Sequence, residues 1–208
     1  MAALLITLRE TLEASLVVGI MLAFLHRTKN RNYNPVIWLG VAAGVATSIA
    51  AAALIARIGT SFTGRAEAIY EGIMMLVAAI LVLSMVLWLS RKGKMLQKNI
   101  EKKMEVHLAS GALLSLFLLV YTSVLREGIE TVIFLQAALY QSQSITQNIG
   151  AIAGIVLAIG IAWLLFRGML RWCSIGKFFR YTGVLLSLFA ISLIVQGVHE
   201  LFEAGLIG

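Results

Sequence analysis

Two short charged motifs interrupt long apolar runs of this sequence. Arg9-Glu10-Thr11-Leu12-Glu13 lies in the first apolar run, and Arg126-Glu127-Gly128-Ile129-Glu130 lies in a later one. An ionised side chain at the centre of a membrane span costs roughly 2.5–3.5 kcal/mol on insertion scales. Three such groups within five residues must therefore face a protein interior or a water-filled path, and by default they mark a functional site.

The motif glutamates are predicted to bind a metal ion. They are Glu10, Glu13, Glu127 and Glu130. Glu10 lies about ten residues into its helix and so roughly 15 Å deep, close to the centre of a hydrocarbon layer about 30 Å thick. Two such helices can meet and present four carboxylates, and a multivalent cation removes the repulsion between them. Oxygen ligands alone favour a hard ion over a soft one.

Arg9 and Arg126 are predicted to support this site. Each lies four residues before a glutamate, Glu13 or Glu130, and can pair with it on one helix face. Such pairs would partly neutralise the empty site. The alternative interpretation is that both motifs are structural salt bridges that lock the helices together. That role needs one glutamate for each arginine, whereas each arginine here has two.

The composition predicts an all-α integral membrane protein. Of the 208 residues, 60% are hydrophobic and only 13% are charged, whereas soluble domains are about one-quarter charged. A span needs about 20 apolar residues. Six runs are long enough, near residues 2–25, 36–58, 67–90, 110–139, 149–171 and 178–202. The start of the fourth run, with residues 99–107 before it, is expected to form an amphipathic helix at the inner surface.

The basic residues predict the orientation of these spans. Most of them lie in alternate connections: Arg27, Lys29, Arg31, Arg91, Lys92, Lys94, Lys98, Lys102, Lys103, Arg167, Arg171, Lys177 and Arg180. The opposite side has only Arg57 and Arg65 in its connections. The positive-inside rule then places both termini outside the cytoplasm, in the plasma (inner) membrane. The net charge of +7 is explained by this topology, so lipid and not nucleic acid is the expected partner.

The two halves of the chain are predicted to be inverted three-helix repeats. When Arg9 is aligned with Arg126, the first three spans fall on the last three, and the small-residue run 40–44 corresponds to 150–154. An odd number of spans in each repeat inverts one half relative to the other, and such folds place transport sites at the repeat interface. The predicted division is residues 1–90, a basic cytoplasmic linker 91–107, and residues 108–208.

Further acidic residues are predicted to form an outer vestibule that concentrates cations. This acidic mouth consists of Glu67 and Glu71 at the start of the third span with His199, Glu200 and Glu203 at the end of the sixth. The alternative is that they are ordinary polar ends of membrane helices. Glu101 and Glu105 lie among lysines and are expected to form a solvated helix face.

These motifs resemble the iron permease family, which includes fungal ferric permeases and bacterial EfeU-type permeases. The resemblance rests on the two Arg-Glu-x-x-Glu motifs, and is supported by residues 65–72 and 199–205. It implies iron uptake with the paired glutamates as ligands, iron as the transported substrate, and no organic cofactor. It also implies an extracytoplasmic iron oxidase or iron-binding protein as partner. EfeU-type members usually continue into a seventh span, whereas this sequence ends at Gly208.

Two alternative functions are weighed against iron transport. A transporter or channel for manganese or magnesium would use the same oxygen ligands. An intramembrane metalloenzyme is disfavoured, because His199-Glu200-x-x-Glu203 lacks the second histidine of a zinc-protease helix. Neither motif is followed by the histidine of a di-iron Glu-x-x-His element. The chain also lacks a phosphate-binding Gly-Lys-Ser/Thr loop, so ATP hydrolysis is not expected. The chain is therefore expected to be a transporter and not an enzyme.

Overall fold

The computed structural model describes residues 2–92, 96–109, 113–141, 145–166 and 175–206, and in these ranges helices joined by turns form all of the regular secondary structure. The described ranges contain seven α-helices and a single 3-10 turn at Arg31–Tyr33. They are α1 (Ala2–Arg27), α2 (Asn34–Gly59), α3 (Arg65–Lys92), α4 (Leu96–Ala109), α5 (Leu113–Gln141), α6 (Ile145–Phe166) and α7 (Ile175–Glu203). The predicted fold class is confirmed at the level of an all-α protein.

Three helical segments of the described chain are long and apolar enough to cross a membrane. They are Arg31–Gly59, Arg65–Leu87 and Tyr181–Glu203, and Ile152–Ile161 of α6 forms a shorter apolar stretch. Helices α1 and α5 have sufficient length, at 26 and 29 residues, but each carries the three charges of its motif. Six spans therefore remain an expectation, and the structure supports three by length and composition.

The predicted apolar segments agree well with the observed helices. The second run, predicted at 36–58, is α2, and the sixth, predicted at 178–202, is α7. The region predicted as a linker is largely α4, which is separate from the 29-residue α5. Lys94, Arg167 and Arg171, which contribute to the orientation prediction, lie outside the described residues.

Helix ends are set by local chain reversals. After α1, the Asn30 amide donates to the Leu25 carbonyl, and Lys29 adopts a positive φ of 61°. After α7, the Leu206 amide donates to the Leu201 carbonyl, with Gly205 at φ 65°. Both are Schellman-type ends, in which the left-handed residue lets late amides reach carbonyls of the last turn. Glycine adopts this conformation without the steric cost that the lysine meets.

Three helix pairs form the main packing of the molecule: α1 with α6, α2 with α5, and α3 with α7. Glycines allow close approach in each pair. A Cβ at Gly44 would lie 3.0 Å from the Val124 side chain, and one at Gly72 would lie 2.9 Å from the Gly197 carbonyl oxygen. Gly154 of α6 lies against α1 in the same way. These contacts bring α1 and α5, which carry the motifs, into the centre of the bundle.

Two apolar clusters lie on either side of the motif level. The first packs Ile6 and Phe134 with residues of α3 and α7, and includes Ala78, Val82, Leu186 and Leu193. The second joins the end of α1 to α4 and to the first half of α5, and includes Met21, Leu25, Ile100, Met104, Leu116 and Val120. Helix α4 therefore closes one end of the bundle with its apolar face.

Candidate metal centre

The α1 motif is enclosed by protein. The Arg9 side chain is fully buried, and Glu10 is only 1% exposed. Arg9 Nη1 lies 3.4 Å from Glu10 Oε1, and Arg9 Nη2 lies 3.3 Å from Glu13 Oε1. Arg9 Nη1 also donates to the Met85 sulfur of α3 at 2.7 Å. One guanidinium thus meets two carboxylates and a thioether within a closed space.

The α5 motif makes a different set of contacts. Arg126 Nε donates to Glu130 Oε1 at 2.9 Å, one turn along the helix. The Arg126 side chain is 60% exposed, whereas the side chain of Glu130 is only 11% exposed. Glu127 points into the bundle, with its Oε2 atom buried. The second motif therefore directs its glutamates inward and leaves its arginine at the surface.

Three glutamates from the two motif helices converge on one point. Glu10, Glu127 and Glu130 each contribute a carboxylate oxygen, and these oxygens lie within 4.8 Å of one another. Glu10 Oε2 and Glu127 Oε2 are buried and have no hydrogen-bond donor in the described chain. Buried carboxylate oxygens normally have a partner, because burial without one is costly. A cation with oxygen ligands would satisfy both atoms and offset the repulsion between the three groups.

Glu13, the fourth predicted ligand, is not part of this group of three in the described chain. It faces Arg9, and its side chain is 15% exposed. Its distance from Arg9 suits an ion pair, but Glu13 Oε1 and Arg9 Nη2 do not meet in hydrogen-bonding geometry. Glu13 therefore adjusts the charge around Arg9 at the edge of the carboxylate group.

Two features of the site have no clear signal in the sequence. Met85 follows Arg9 by 76 positions, and its sulfur is the hydrogen-bond acceptor for the guanidinium. Ser48 of α2 lies directly against Gly128, inside the second motif. The glycine is a partial clue, since a glycine within a helix often marks a close approach of backbone to a neighbour. Its partner depends on how α2 packs on α5.

The residues of the acidic mouth lie together at the end of the bundle opposite α4. Arg65 Nη2 donates to the Gly205 carbonyl at 3.5 Å, joining the start of α3 to the end of α7. The carboxylate of Glu71 is close enough to Glu67 and Glu200 to be repelled by both. His199 and Glu203 form an exposed pair at 3.2 Å. The acidic groups that are distant in sequence therefore share one surface.

Comparison with known proteins identifies the family of this chain. The model of the iron permease FTR1 family matches residues 1–207. The chain is 30% identical over 204 residues to the ferrous iron permease EfeU of Escherichia coli strain 536, covering 97% of this chain and 74% of that protein. The EfeU protein of Yersinia pestis is 31% identical, with 97% and 72% covered. This chain belongs to the iron permease family. No solved structure matches it.

Membership in the iron permease family confirms the resemblance found in the sequence. The family comprises permeases, which transport and do not form an enzyme class, so the metalloenzyme alternative loses support. For this iron permease, a buried carboxylate group shared by two helices is the feature best suited to a cation. The exposed His199–Glu203 pair has no such enclosure.

Proposed function

We propose that this iron permease moves ferrous ions across the plasma membrane and that Glu10, Glu127 and Glu130 bind the ion on its way. One observation carries the proposal: the three carboxylates come from two different helices, converge within 4.8 Å, and include two oxygens without a donor. A pair of structural salt bridges does not require this convergence. If the motifs were only salt bridges, each arginine would need one glutamate of its own motif, and the glutamates of the two helices would not have to meet.

The charge balance of the site suits a divalent ion. With all groups ionised, the four motif glutamates and two motif arginines leave a net charge of −2, which one divalent cation neutralises. Buried charges are tolerated when they are paired in this way. The relatives in Escherichia coli and Yersinia pestis are named ferrous iron permeases, which agrees with this balance.

The site is proposed to lie near the middle of the membrane. Glu127 is equally far from Leu113 and Gln141, the two ends of α5, at about 21 Å along the axis from each. A hydrocarbon layer about 30 Å thick would place such a residue close to its midplane. Ions would then reach Glu127 from either surface only when the bundle provides a polar path.

Two inverted repeats, α1–α3 and α5–α7, are proposed as the basis of transport. The packing supports a two-fold relationship, because α1 with α6 is the counterpart of α5 with α2. Gly44 faces Val124, and Gly154 faces Thr7, and each of these partners precedes its motif arginine by two residues. Inverted repeats of this kind rock around a central site and open it to each side in turn.

The acidic mouth is proposed to face the outside, and the α4 end to face the cytoplasm. Arg27 near the end of α1 pairs with Glu101 of α4 at 3.2 Å, so two of the basic connections meet at one end. This arrangement supports the positive-inside orientation with both termini outside. We further propose that the mouth receives iron from an extracytoplasmic oxidase or iron-binding protein.

Uptake of radioactive iron into proteoliposomes tests the function. Wild type is compared with Glu10→Gln and Glu127→Gln, which keep the shape of each side chain but remove a ligand charge. Folded variants that lose uptake would support the carboxylate site. Uptake that survives in both variants would mean that the motifs are structural and that the ion passes elsewhere.

Competition identifies the ion. Ferrous iron under anaerobic conditions should be taken up in preference to ferric iron, and manganese, magnesium and zinc should compete weakly. Strong competition by manganese or magnesium would keep the transport function but change its substrate, since oxygen ligands alone do not select iron.

A further inference from the structure

The two motif arginines occupy opposite environments, although their local sequences are equivalent. Arg9 is fully buried and contacts Glu10, Glu13 and the sulfur of Met85. Arg126 is 60% exposed, and its one polar contact in the described chain is from Nε to Glu130. The outer nitrogens of the Arg126 guanidinium therefore have no carboxylate that holds them.

The position of Arg126 makes this exposure significant. It lies 13 residues after Leu113, about 20 Å from that end of α5, so its side chain is too short to reach either membrane surface. An arginine facing hydrocarbon at this depth is strongly disfavoured. Thr122, one turn earlier, is exposed on the same face. Its hydroxyl donates to the Leu118 carbonyl at 2.7 Å, and the hydroxyl oxygen can still accept a hydrogen bond. The exposed face of α5 is therefore expected to border water at Thr122 and Arg126, whereas Leu114 and Leu118 further along it are apolar.

We propose that Arg126 is a displaceable counter-ion. Its guanidinium pairs with Glu130 when the site is empty, and it turns back along α5 towards Thr122 when the cation binds. Arg9 is the fixed counter-ion that remains in place throughout. This inference rests on the proposed function, because it assigns a role within the same carboxylate site.

The contacts of Glu130 support the exchange. Its carboxylate is shared by the Arg126 Nε contact and the group of three oxygens, so a cation bound there would lie only a few ångströms from the guanidinium. Like charges at that separation repel, and the repulsion is reduced when the guanidinium moves from the largely buried Glu130 carboxylate towards water. Arg126 has one bond to break and open space beside it. Arg9 has three neighbours and no exposed surface.

Equilibrium binding of ferrous iron to the purified protein in nanodiscs gives the first test. In Arg126→Gln, the competitor for Glu130 is absent, so affinity should rise by about tenfold or more, while the maximal uptake rate falls because release is slowed. Arg126→Lys keeps a mobile positive charge and should restore both values towards wild type. Arg57→Gln removes an exposed arginine at the far end of α2 and should change neither. A purely structural Arg126 would instead give weaker binding and a lower melting temperature on substitution to Gln.

Thiol labelling tests whether the Arg126 guanidinium moves towards position 122. The variant Thr122→Cys, in a Cys173→Ser background, is reacted with anionic and cationic methanethiosulfonate reagents, with and without ferrous iron. Arrival of the guanidinium should raise the ratio of anionic to cationic labelling rates several-fold when iron binds. The same rise should be absent when Arg126→Gln is added, which separates the arginine from the field of the ion.

Three results would overturn the inference: an unchanged ratio, an equal rise in the Arg126→Gln background, or no labelling by either reagent. Glu10→Gln and Glu127→Gln distinguish a failure of the Arg126 displacement from a failure of the proposed carboxylate site. If these two variants abolish iron binding, and iron leaves the labelling ratio of Thr122→Cys with native glutamates unchanged, the site stands and only the displacement of Arg126 fails. If they bind iron as wild type does, the proposed function itself fails.

Discussion

Gly128 of α5 lies against Ser48 of α2 so closely that no side chain fits between the two helices. A Cβ at position 128 would overlap the Ser48 hydroxyl and lie 2.7 Å from its Cβ. Ser48 is itself buried, and its hydroxyl donates to the Gly44 carbonyl at 2.8 Å. Since Gly128 separates Glu127 from Glu130, this contact positions both glutamates of α5.

Gly128→Ala is therefore expected to destabilise the protein and to abolish uptake. Overpacking of a close contact costs about 1–3 kcal/mol, and the displaced helix would move Glu127 and Glu130 away from Glu10. Thermal unfolding in detergent and iron uptake measure the two effects. Adding Ser48→Gly removes both clashing atoms and should restore activity. Gly160→Ala is the matched control, because a Cβ there has open space; equal losses in both alanine variants would contradict the explanation.

Glu13 and Glu10 should differ in their effect on metal affinity. Glu10 belongs to the group of three, whereas Glu13 faces Arg9 from outside it. Glu13→Gln should weaken iron binding by about 10–100-fold, as is usual for residues that orient ligands, and Glu10→Gln should weaken it further. Direct binding to the purified variants gives the comparison. A larger loss in Glu13→Gln would make Glu13 a ligand and place the ion nearer to α1.

Helix α4 should contribute to stability through its apolar face and little through its ion pair. Met104 is fully buried, so Met104→Ala should cost about 2–5 kcal/mol. Val106 on the same helix is 61% exposed, and Val106→Ala should change stability by no more than about 0.5 kcal/mol. Arg27→Gln breaks an exposed pair and should cost less than about 1 kcal/mol. Melting temperatures in detergent rank the three, and a large loss for Arg27→Gln would assign the ion pair a greater role.

The acidic mouth should affect capture of the ion more than its passage. Removing Glu71 and Glu200 together, each to Gln, should raise the iron concentration for half-maximal uptake several-fold at low salt and leave the maximal rate unchanged. The difference should vanish at high salt, which screens the field of exposed charges. Glu105→Gln removes an exposed charge on α4 and is the control. A changed maximal rate at saturating iron would instead place the mouth residues on the transport path.

Local sequence predicted the helices because membrane spans obey strict physical rules. Backbone groups in hydrocarbon must be paired within the segment, so about 20 apolar residues in succession form a helix. The runs at 36–58 and 178–202 accordingly match α2 and α7 to within a few residues. The cost of buried charge identified the two motifs in the same way, without knowledge of the packing.

The inequality of the two motifs was not predictable from their spacing. Arg9 and Arg126 have identical neighbours at positions +1 and +4, so local geometry treats them alike. Their burial differs because helix rotation and packing differ: α3 brings Met85 to Arg9, whereas the face of α5 that carries Arg126 is left open. The separation of Glu13 from the other three glutamates has the same origin.

The sequence by itself determined the class of the protein, the approximate extent of its helices and the carboxylates that are proposed to bind a cation. These follow from composition, periodicity and the expense of charge in an apolar run, all of which are local. The tertiary structure decided which carboxylates converge, which arginine is enclosed and which face of α5 is exposed. Those outcomes depend on contacts between residues far apart in the chain, such as Gly128 with Ser48 and Arg9 with Met85.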